Sequence, residues 1–178
     1  MESNGKSIRR DGQATDYSTA VPIWGAVGAN AQHSFAQLLH QGTQRISVDF
    51  VAAVRDPGEH AGQNLQPLSN MLAQADALAS GQSELKESVV AAPNRESLSP
   101  HLVHPGNRPS TILLLRELNA HSLGMLIALY EHKVFVESVI WGINAFDQWG
   151  VEFGKHLAEA YAERLVSDGA NNQVTNVA

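Results

Sequence analysis

The sequence predicts an α/β fold with a parallel sheet flanked by helices. Short apolar runs, typical of buried strands, alternate along the chain with longer segments that have helical periodicity. Strands joined through helices lie parallel in one sheet. The chain has 178 residues, of which 43% are hydrophobic and 17% charged, enough for one domain with a core. Only three strand-like runs are present, which is few for such a sheet, so we expect the sheet to be incomplete.

The three predicted strands are short and lack the periodicity of helices. They lie at residues 21–24, 46–54 and 112–115. The first leads into a glycine-bearing turn, and the second is followed by turn residues. The segment 91–109 contains four of the seven prolines and is predicted to be an irregular connection.

The predicted helices differ in how their apolar residues are placed. A helix is expected from Ala31, with Gly42 as its stop, and a strongly amphipathic one over 64–80, ended by Gly81. A short helix is expected at 85–92. Residues 122–141 are apolar nearly all round, which indicates a helix buried in a core or an interface.

A last helix is predicted to begin near Gln148, after a polar turn in which Asn144 or Asp147 could cap it. Its apolar face, with Trp149 and Phe153, is expected to be buried. The polar tail over 167–178 has no periodicity and is predicted to be disordered.

Composition and charge exclude several classes of function. Net charge is −6 and the pI is about 5.7, so no basic field attracts nucleic acid or an anionic membrane. The absence of cysteine excludes disulfides and thiolate chemistry. No apolar leader is visible, and the longest apolar run, 123–129, is too short to span a bilayer. We expect a cytoplasmic protein.

The helix predicted after residue 148 carries polar residues that suit a phosphorylated sugar. Gln148 and Lys155 are seven residues apart, on one face and roughly 10 Å apart along the axis. Gln148 falls in the first turn, where unpaired N–H groups and the helix dipole favour an anion. The plain alternative is a solvated face on which Glu152 and Lys155 form a surface ion pair.

Residues 138–155 resemble the C-terminal signature of the glucose-6-phosphate isomerase (phosphoglucose isomerase) family. The matching residues are Ser138, Ile140, Trp141, Phe146, Asp147, Gln148, Gly150, Val151, Glu152 and Lys155. Residues 24–43 resemble the segment around the family's ring-opening histidine, here His33. Segments 1–6 (MESNGK), 106–110 (GNRPS) and 128–135 (ALYEHKVF) match as well, so the resemblance runs from residue 1 to about 165.

The resemblance implies that residues 1–166 are the later part of the second of two sugar-isomerase (SIS-type) α/β domains, with C-terminal helices. The family's phosphate-binding Ser/Thr loop and enediolate-stabilising Arg are expected upstream of Met1. The implied reaction, in glycolysis and gluconeogenesis, interconverts glucose 6-phosphate and fructose 6-phosphate through a cis-enediol, without metal or cofactor. Glu2 would transfer the proton, His33 and Lys155 would open the sugar ring, and Gln148 would contact the phosphate.

The resemblance also implies a homodimer in which the histidine comes from the partner subunit. The chain by itself would be an inactive part of such an enzyme. Alternatives are a non-enzymatic SIS-type module that binds sugar phosphates, which needs no catalytic base, and an inactive remnant.

Each of these candidate residues also has an ordinary interpretation. A carboxylate at a chain end, such as Glu2, is normally solvated. His33 is expected in the first turn of a helix, where the dipole favours a neutral imidazole, but helix-start histidines are common. Three residues near His33 depart from the family pattern, namely Ala26, Ala29 and Ala31. Of these, Ala31 tolerates positive φ poorly. The eight histidines raise the question of a metal, but neither His33 with His40 nor His101 with His104 has the third ligand that a zinc site needs.

Overall fold

The structure is a computed structural model that describes residues 1–55, 65–82 and 100–174, with side chains described as far as residue 167. The chain divides into two compact units. One contains Met1–Ile23 and Ala128–Ala178, and the other contains Trp24–Ile127. The predicted helix at 85–92 lies outside the described residues, as does the part of the irregular connection at 91–99.

The unit formed by Trp24–Ile127 contains a two-stranded parallel sheet. Strand β1 spans Val48–Arg55 and β2 spans Ser110–Glu117. They pair in register from Val48 opposite Ser110 to Arg55 opposite Glu117. The predicted parallel arrangement and two of the three predicted strands are therefore confirmed.

The prediction of a strand at residues 21–24 is wrong. Residues 21–27 have no regular secondary structure, and Val21 and Ile23 are each 64% exposed. A four-residue apolar run becomes a strand only where a partner supplies ladder hydrogen bonds. No described strand pairs with this run.

Helix α3, Leu65–Ser80, packs against both strands and supplies the buried side chains Ala75 and Leu78. Gly81 ends it in a left-handed conformation with φ 67°, as predicted. The backbone amides of Asn107 and Arg108 donate to the carbonyls of Ala79 and Leu78 at 2.8 and 2.9 Å. These bonds satisfy carbonyls that a helix end leaves unpaired, and they set the point at which β2 begins.

The helix predicted from Ala31 is two short helices, α1 at Gly28–Ser34 and α2 at Ala36–Gln41. Phe35 separates them with φ −141° and ψ 3°. The Ser34 hydroxyl donates back to the Asn30 carbonyl at 2.8 Å, a bond that tends to bend or end helices. Gly42 follows α2 as predicted.

Helix α4, Ala120–Trp141, begins with a reciprocal cap. The Ser122 amide donates to Asn119 Oδ1 at 3.0 Å, and the Asn119 amide donates to Ser122 Oγ at 2.9 Å. The helix itself is confirmed, but its expected burial within the core is not. Ser138 is its one buried residue among those described, while Ile140 is 74% exposed.

Helix α5 spans Trp149–Val174. The tail predicted to be disordered from residue 167 is helical as far as Val174, and 175–178 lie outside the described residues. No proline interrupts this stretch, and a single helical glycine costs only about 1 kcal/mol. The predicted burial of one face of this helix is also wrong, because Trp149 and Phe153 are 67% and 65% exposed. No helix in the described part of the chain combines the length and apolarity needed to cross a membrane.

Candidate active site

The N-terminal segment is held on helix α4 by Asn4, which is only 3% exposed. Asn4 Nδ2 donates to the Val134 carbonyl at 3.0 Å and to Glu137 Oε2 at 3.2 Å. Within the segment, the Lys6 amide donates to the Asn4 carbonyl at 2.9 Å, which closes a tight turn. The backbone that carries Glu2 is therefore anchored, although it lies at the end of the chain.

A second set of contacts joins this segment to the turn that follows α4. Arg9 and Ile143 form an antiparallel bridge, and Ile143 is completely buried. The Arg10 amide donates to the Gly142 carbonyl at 2.7 Å, and Gly142 has the left-handed φ of 65° that this sharp turn requires. Residues 7–10 and 142–143 consequently form one wall of the unit.

The turn that leads into α5 places Asp147 against Lys6. Phe146 has φ 71°, which is uncommon for a non-glycine residue. Lys6 Nζ lies 2.9 Å from Asp147 Oδ1, and the Trp149 indole donates to Asp147 Oδ2 at 3.0 Å. Both carboxylate oxygens therefore have partners other than the helix amides, so this side chain, one of the two predicted capping residues, is engaged elsewhere.

These partners also alter the acidity of Asp147. The hydrogen bond from Lys6 is the main reason that the pKa of its carboxyl is lowered. Partial burial opposes the shift, while the charge of Lys6 and the indole hydrogen bond assist it. A carboxylate whose ionised form receives such bonds stays charged to lower pH.

The two segments line an open cavity of about 620 Å³. Residues that line it include Glu2 and Lys6 from the N-terminal segment and Asp147, Gln148 and Trp149 from the turn before α5. The volume falls in the usual range for small-molecule sites, roughly 300–1,000 Å³. Two of the predicted site residues, Glu2 and Gln148, thus share one cavity despite their separation in sequence.

The side chains of Glu2 and Gln148 are both exposed, and no described residue forms a hydrogen bond or ion pair with either of them. Gln148 immediately precedes α5, and its carbonyl accepts from the amides of Val151 and Glu152 at 2.9 and 3.2 Å. The residue therefore lies at the helix N-terminus, close to the predicted position. Both side chains remain available to a ligand in this cavity.

Lys155 is exposed on α5 and is not among the residues that line the cavity. Its seven-residue separation from Gln148 corresponds to roughly 10 Å along the helix axis. Within the described ranges, no ion pair joins Lys155 to Glu152, so the structure does not contain the surface pair considered as the alternative.

His33 belongs to the other unit, Trp24–Ile127. It is exposed and lies in the last turn of α1, not in the first turn as predicted, because the helix begins at Gly28. The helix-start argument for a neutral imidazole therefore does not apply. Ala31 is helical, with its amide bonded to the Val27 carbonyl at 2.9 Å, so its departure from the family pattern demands no positive φ.

The histidines considered for a metal site pair differently from the sequence expectation. His40 and His104, one from each predicted pair, meet edge to face with ring centres 5.6 Å apart. His40 Nε2 is also 2.9 Å from Gln74 Oε1. In the described portion of the chain, no group of three candidate ligands forms a possible metal site.

Lys6 is the functional candidate that sequence reasoning missed. It appeared only as the last residue of the matching segment MESNGK, and Asp147 only as a possible cap and as one of the matching residues of the C-terminal signature. Their pairing could have been suspected because Lys6 lies in the same matching segment as Glu2, and Asp147 lies next to Gln148.

The fold and this cavity define an α/β protein with a carboxylate and an amide side chain at one open, largely apolar cleft. The phosphoglucose isomerase family model matches residues 1–177. A glucose-6-phosphate isomerase from Pseudomonas savastanoi pv. phaseolicola is 48% identical over 171 residues, covering 93% of this chain and 31% of that relative. The chain therefore belongs to the phosphoglucose isomerase family.

A solved structure agrees with this assignment, and a second one shares the fold. A glucose-6-phosphate isomerase from Chlamydia trachomatis superposes with a TM-score of 0.78 at 40% identity, over 93% of this chain and 31% of that one. A hypothetical protein from Thermus thermophilus, at 24% identity and a TM-score of 0.55 over 90% of this chain and 35% of that one, shares the fold. The chain spans about a third of the length of the relatives it matches.

Proposed function

We propose that this chain supplies the C-terminal part of an enzyme that interconverts glucose 6-phosphate and fructose 6-phosphate. The observation that carries the proposal is the placement of Glu2 and Gln148 on one cavity. Family membership alone does not require these two side chains to meet. A base and a phosphate contact must both reach the same substrate, so their shared cavity supports an enzyme of this class.

In the proposed mechanism, the Glu2 carboxylate takes the proton from C2 of the open-chain aldose. The C–H bonding pair becomes the C1=C2 double bond, and the carbonyl oxygen at C1 gains a proton, which gives the cis-enediol. Glu2 then returns its proton to C1 while O2 loses one, and the ketose forms. Among the described residues, none forms a hydrogen bond or ion pair with the Glu2 carboxylate. A base that transfers a proton between two carbons must be free in this way.

The remaining roles follow from the chemistry at the two ends of the sugar. Gln148, at the N-terminus of α5, contacts the phosphate, while Lys155 and His33 act at the ring oxygen and its neighbouring hydroxyl. His33 comes from the second subunit of a homodimer. The reaction needs no metal or organic cofactor, and belongs to glycolysis and gluconeogenesis.

The proposal extends to the setting of the protein. Residues 1–166 form the later part of a second SIS domain, and the enzyme acts in the cytoplasm without nucleic acid or membrane partners. The net charge of −6 offers no general attraction for polyanions. A substrate phosphate is therefore held by local donors, not by a global field.

Replacing Glu2 by glutamine in a full-length enzyme tests the base. Residues 1–177 would be grafted in place of the matching part of the Pseudomonas savastanoi relative, and kcat measured in both directions. The amide preserves the shape but cannot accept the proton, so kcat should fall by several orders of magnitude while KM changes little.

The matched control is Glu152→Gln, which removes the same charge from an exposed residue that does not line the cavity. Its turnover should equal that of the unchanged graft. Near-normal turnover of the Glu2→Gln enzyme would eliminate Glu2 as the base. Another group in the cavity would then have to carry the proton between C2 and C1.

A further inference from the structure

The Lys6 ammonium is surrounded by acceptors from both walls of the cavity. Nζ lies 3.2 and 3.0 Å from the carbonyl oxygens of Glu2 and Ser3. It lies 2.8 Å from the Asp147 carbonyl oxygen and 2.9 Å from Asp147 Oδ1. The Lys6 side chain is only 17% exposed. The hydrogen bonds to the Ser3 and Asp147 carbonyls are partly buried, while the one to the Glu2 carbonyl is exposed.

This arrangement separates Lys6 from the cations expected to bind a substrate. An ammonium group has three protons, and here four acceptors within 3.2 Å already compete for them. Any hydrogen bond to a ligand would have to replace one of these. Although Lys6 lines the cavity, its charge is used within the protein.

We propose that Lys6 is a positioning residue that clamps the turn carrying Glu2 to the turn carrying Gln148. The inference rests on the proposed function, because the distance it controls is the one between the proton-transfer base and the phosphate contact. Two hydrogen bonds reach the backbone of residues 2 and 3. A third hydrogen bond reaches the Asp147 carbonyl, and an ion pair reaches the Asp147 carboxylate, next to Gln148. One side chain therefore sets the separation of both groups.

Two further observations support the clamp. Phe146, immediately before Asp147, has a left-handed backbone that a free chain would seldom adopt, and such conformations persist where surrounding contacts hold them. The lowered pKa of Asp147, caused chiefly by the Lys6 hydrogen bond, is the expected consequence of a close, partly shielded pair.

The competing explanation is that Lys6 contributes only positive charge to the cavity. Arg9 provides the matched test, since it also lines the cavity while its guanidinium is engaged with exposed Asp11 at 3.0 Å. Lys6→Met and Arg9→Met remove the same charge. Only the first breaks contacts between the two turns.

The first measurement uses nuclear magnetic resonance on the full-length graft that carries residues 1–177. The Trp149 indole proton reports the protonation of Asp147, to which it donates. Lys6→Met should raise the midpoint of that titration and shift the backbone amides of both 2–5 and 147–151, while Arg9→Met should do neither. Amide shifts confined to residues 1–7 would overturn the clamp regardless of any activity.

The second measurement uses the full-length graft. A misplacement of about 1 Å can cost on the order of 100-fold in rate, so kcat should fall roughly 10- to 100-fold in Lys6→Met, with KM nearly constant. Arg9→Met should keep its kcat. Equal losses in the two variants would overturn positioning in favour of charge.

Asp147→Asn is a milder second variant that keeps the shape of the side chain but replaces one carboxylate oxygen by an amide nitrogen and removes the ion pair. It should lower kcat by a smaller factor. The effect of Glu2→Gln on the same graft reports on the base itself. If Glu2 proves not to be the base, the nuclear magnetic resonance measurements on Lys6→Met and Arg9→Met still test whether Lys6 holds the two turns together.

Discussion

At the scale of single residues, the polar atoms of this cavity divide into those that already have partners and those that do not. Lys6 and Asp147 use their charges on each other and on nearby backbone. In the part of the chain that the structure describes, the side chains of Glu2 and Gln148 have no hydrogen-bonding partner. A group that must exchange protons or contact a ligand cannot have its hydrogen-bonding capacity used up by the fold, so this division agrees with the roles proposed for these two residues.

Replacing His33 by alanine in the full-length graft should slow the reaction of the cyclic sugar more than that of an open-chain analogue. The physical reason is that ring opening needs a proton moved at the ring oxygen, whereas an open-chain substrate bypasses that step. Rates with both substrates would be compared in the same preparation. His121→Ala, which alters another exposed histidine, serves as the control. Equal slowing of the two substrates would remove ring opening from the role of His33.

The Lys6–Asp147 pair should make the stability of the chain depend on pH in the acidic range. Because the pKa of Asp147 is lowered in the folded state, its stabilising contribution is complete above the unfolded value of about 3.9. It is lost as the pH falls through the folded value. Thermal unfolding of the chain and of Asp147→Asn would be followed from pH 6 downward.

The variant should lose less stability on acidification than the parent chain. Asp11→Asn is the comparison, since the pKa of Asp11 is also lowered, first through the Gln13 amide and also by nearby Arg9. Those partners lie within two residues, so they bridge no distant segments. Identical acid profiles for the parent and Asp147→Asn would contradict a role for the pair in folding.

At the scale of elements, the end of α3 decides where the second strand begins. Gly81 and Gly106 approach each other so closely that a Cβ on Gly81 would lie 2.5 Å from the Gly106 nitrogen, and both glycines have positive φ. This close approach allows Gln82 to form an antiparallel bridge with His104. It also allows the amides of Asn107 and Arg108, which follow Gly106, to cap α3. A glycine pair thus sets the register of a helix against a strand.

Gly81→Ala should destabilise the unit by about 1–3 kcal/mol, because it adds both backbone strain and overlap with Gly106. Chemical denaturation would measure the change. Gly124→Ala on helix α4 provides the control, since nothing lies within 4 Å of the added Cβ. That helical substitution should stabilise the chain by up to about 1 kcal/mol. Equal stabilities for the two variants would show that the glycine contact does not determine the packing.

At the scale of the whole molecule, little apolar surface is buried. In the described residues, the buried hydrophobic side chains are Ala75, Leu78 and Ile143. Large apolar side chains on α4 and α5, including Met125 and Phe153, remain more than half exposed. The two-stranded parallel sheet is also unusual alone, since parallel sheets normally have both faces covered.

We expect the 178-residue chain by itself to show no measurable isomerase activity. A dianionic substrate would meet a net charge of −6, and the Lys6 ammonium beside Gln148 is already engaged. The family's enediolate-stabilising Arg is expected outside residues 1–178, and loss of one such preorganised electrostatic donor commonly costs roughly 100- to 1,000-fold in rate. A coupled assay on protein from a host lacking its own isomerase would test this. Conversion above the buffer control would refute the expectation.

The same chain should associate or aggregate, because exposed apolar faces and an open strand edge favour self-pairing. Sedimentation velocity at several concentrations would measure it. A concentration-independent monomer would show that these faces are stable in water. Addition of the upstream part of the Pseudomonas relative as a separate chain should improve solubility.

The sequence by itself determined the α/β class, helices α3 and α4, and the family. It also predicted two parallel strands, at 46–54 and 112–115, where the structure has them at 48–55 and 110–117. These depend on local periodicity, on glycine stops and on long residue-by-residue matches, all of which a linear chain displays. It did not determine that residues 21–24 lack a partner strand, that Ser34 and Phe35 divide one helix into two, or that α5 extends to Val174. Those outcomes depend on competition between local and distant hydrogen bonds.

The sequence predicted which residues belong to the candidate site but not how they are arranged. Glu2 and Gln148 were recognisable as motif residues, but only the tertiary structure placed them on one cavity and showed Lys6 bonded to both walls. Contacts across some 140 residues of chain depend on how Asn4, Ile143 and the left-handed Phe146 fold the two segments together. A sequence pattern records which side chains are present. Their mutual distances are set by packing, which no local pattern encodes.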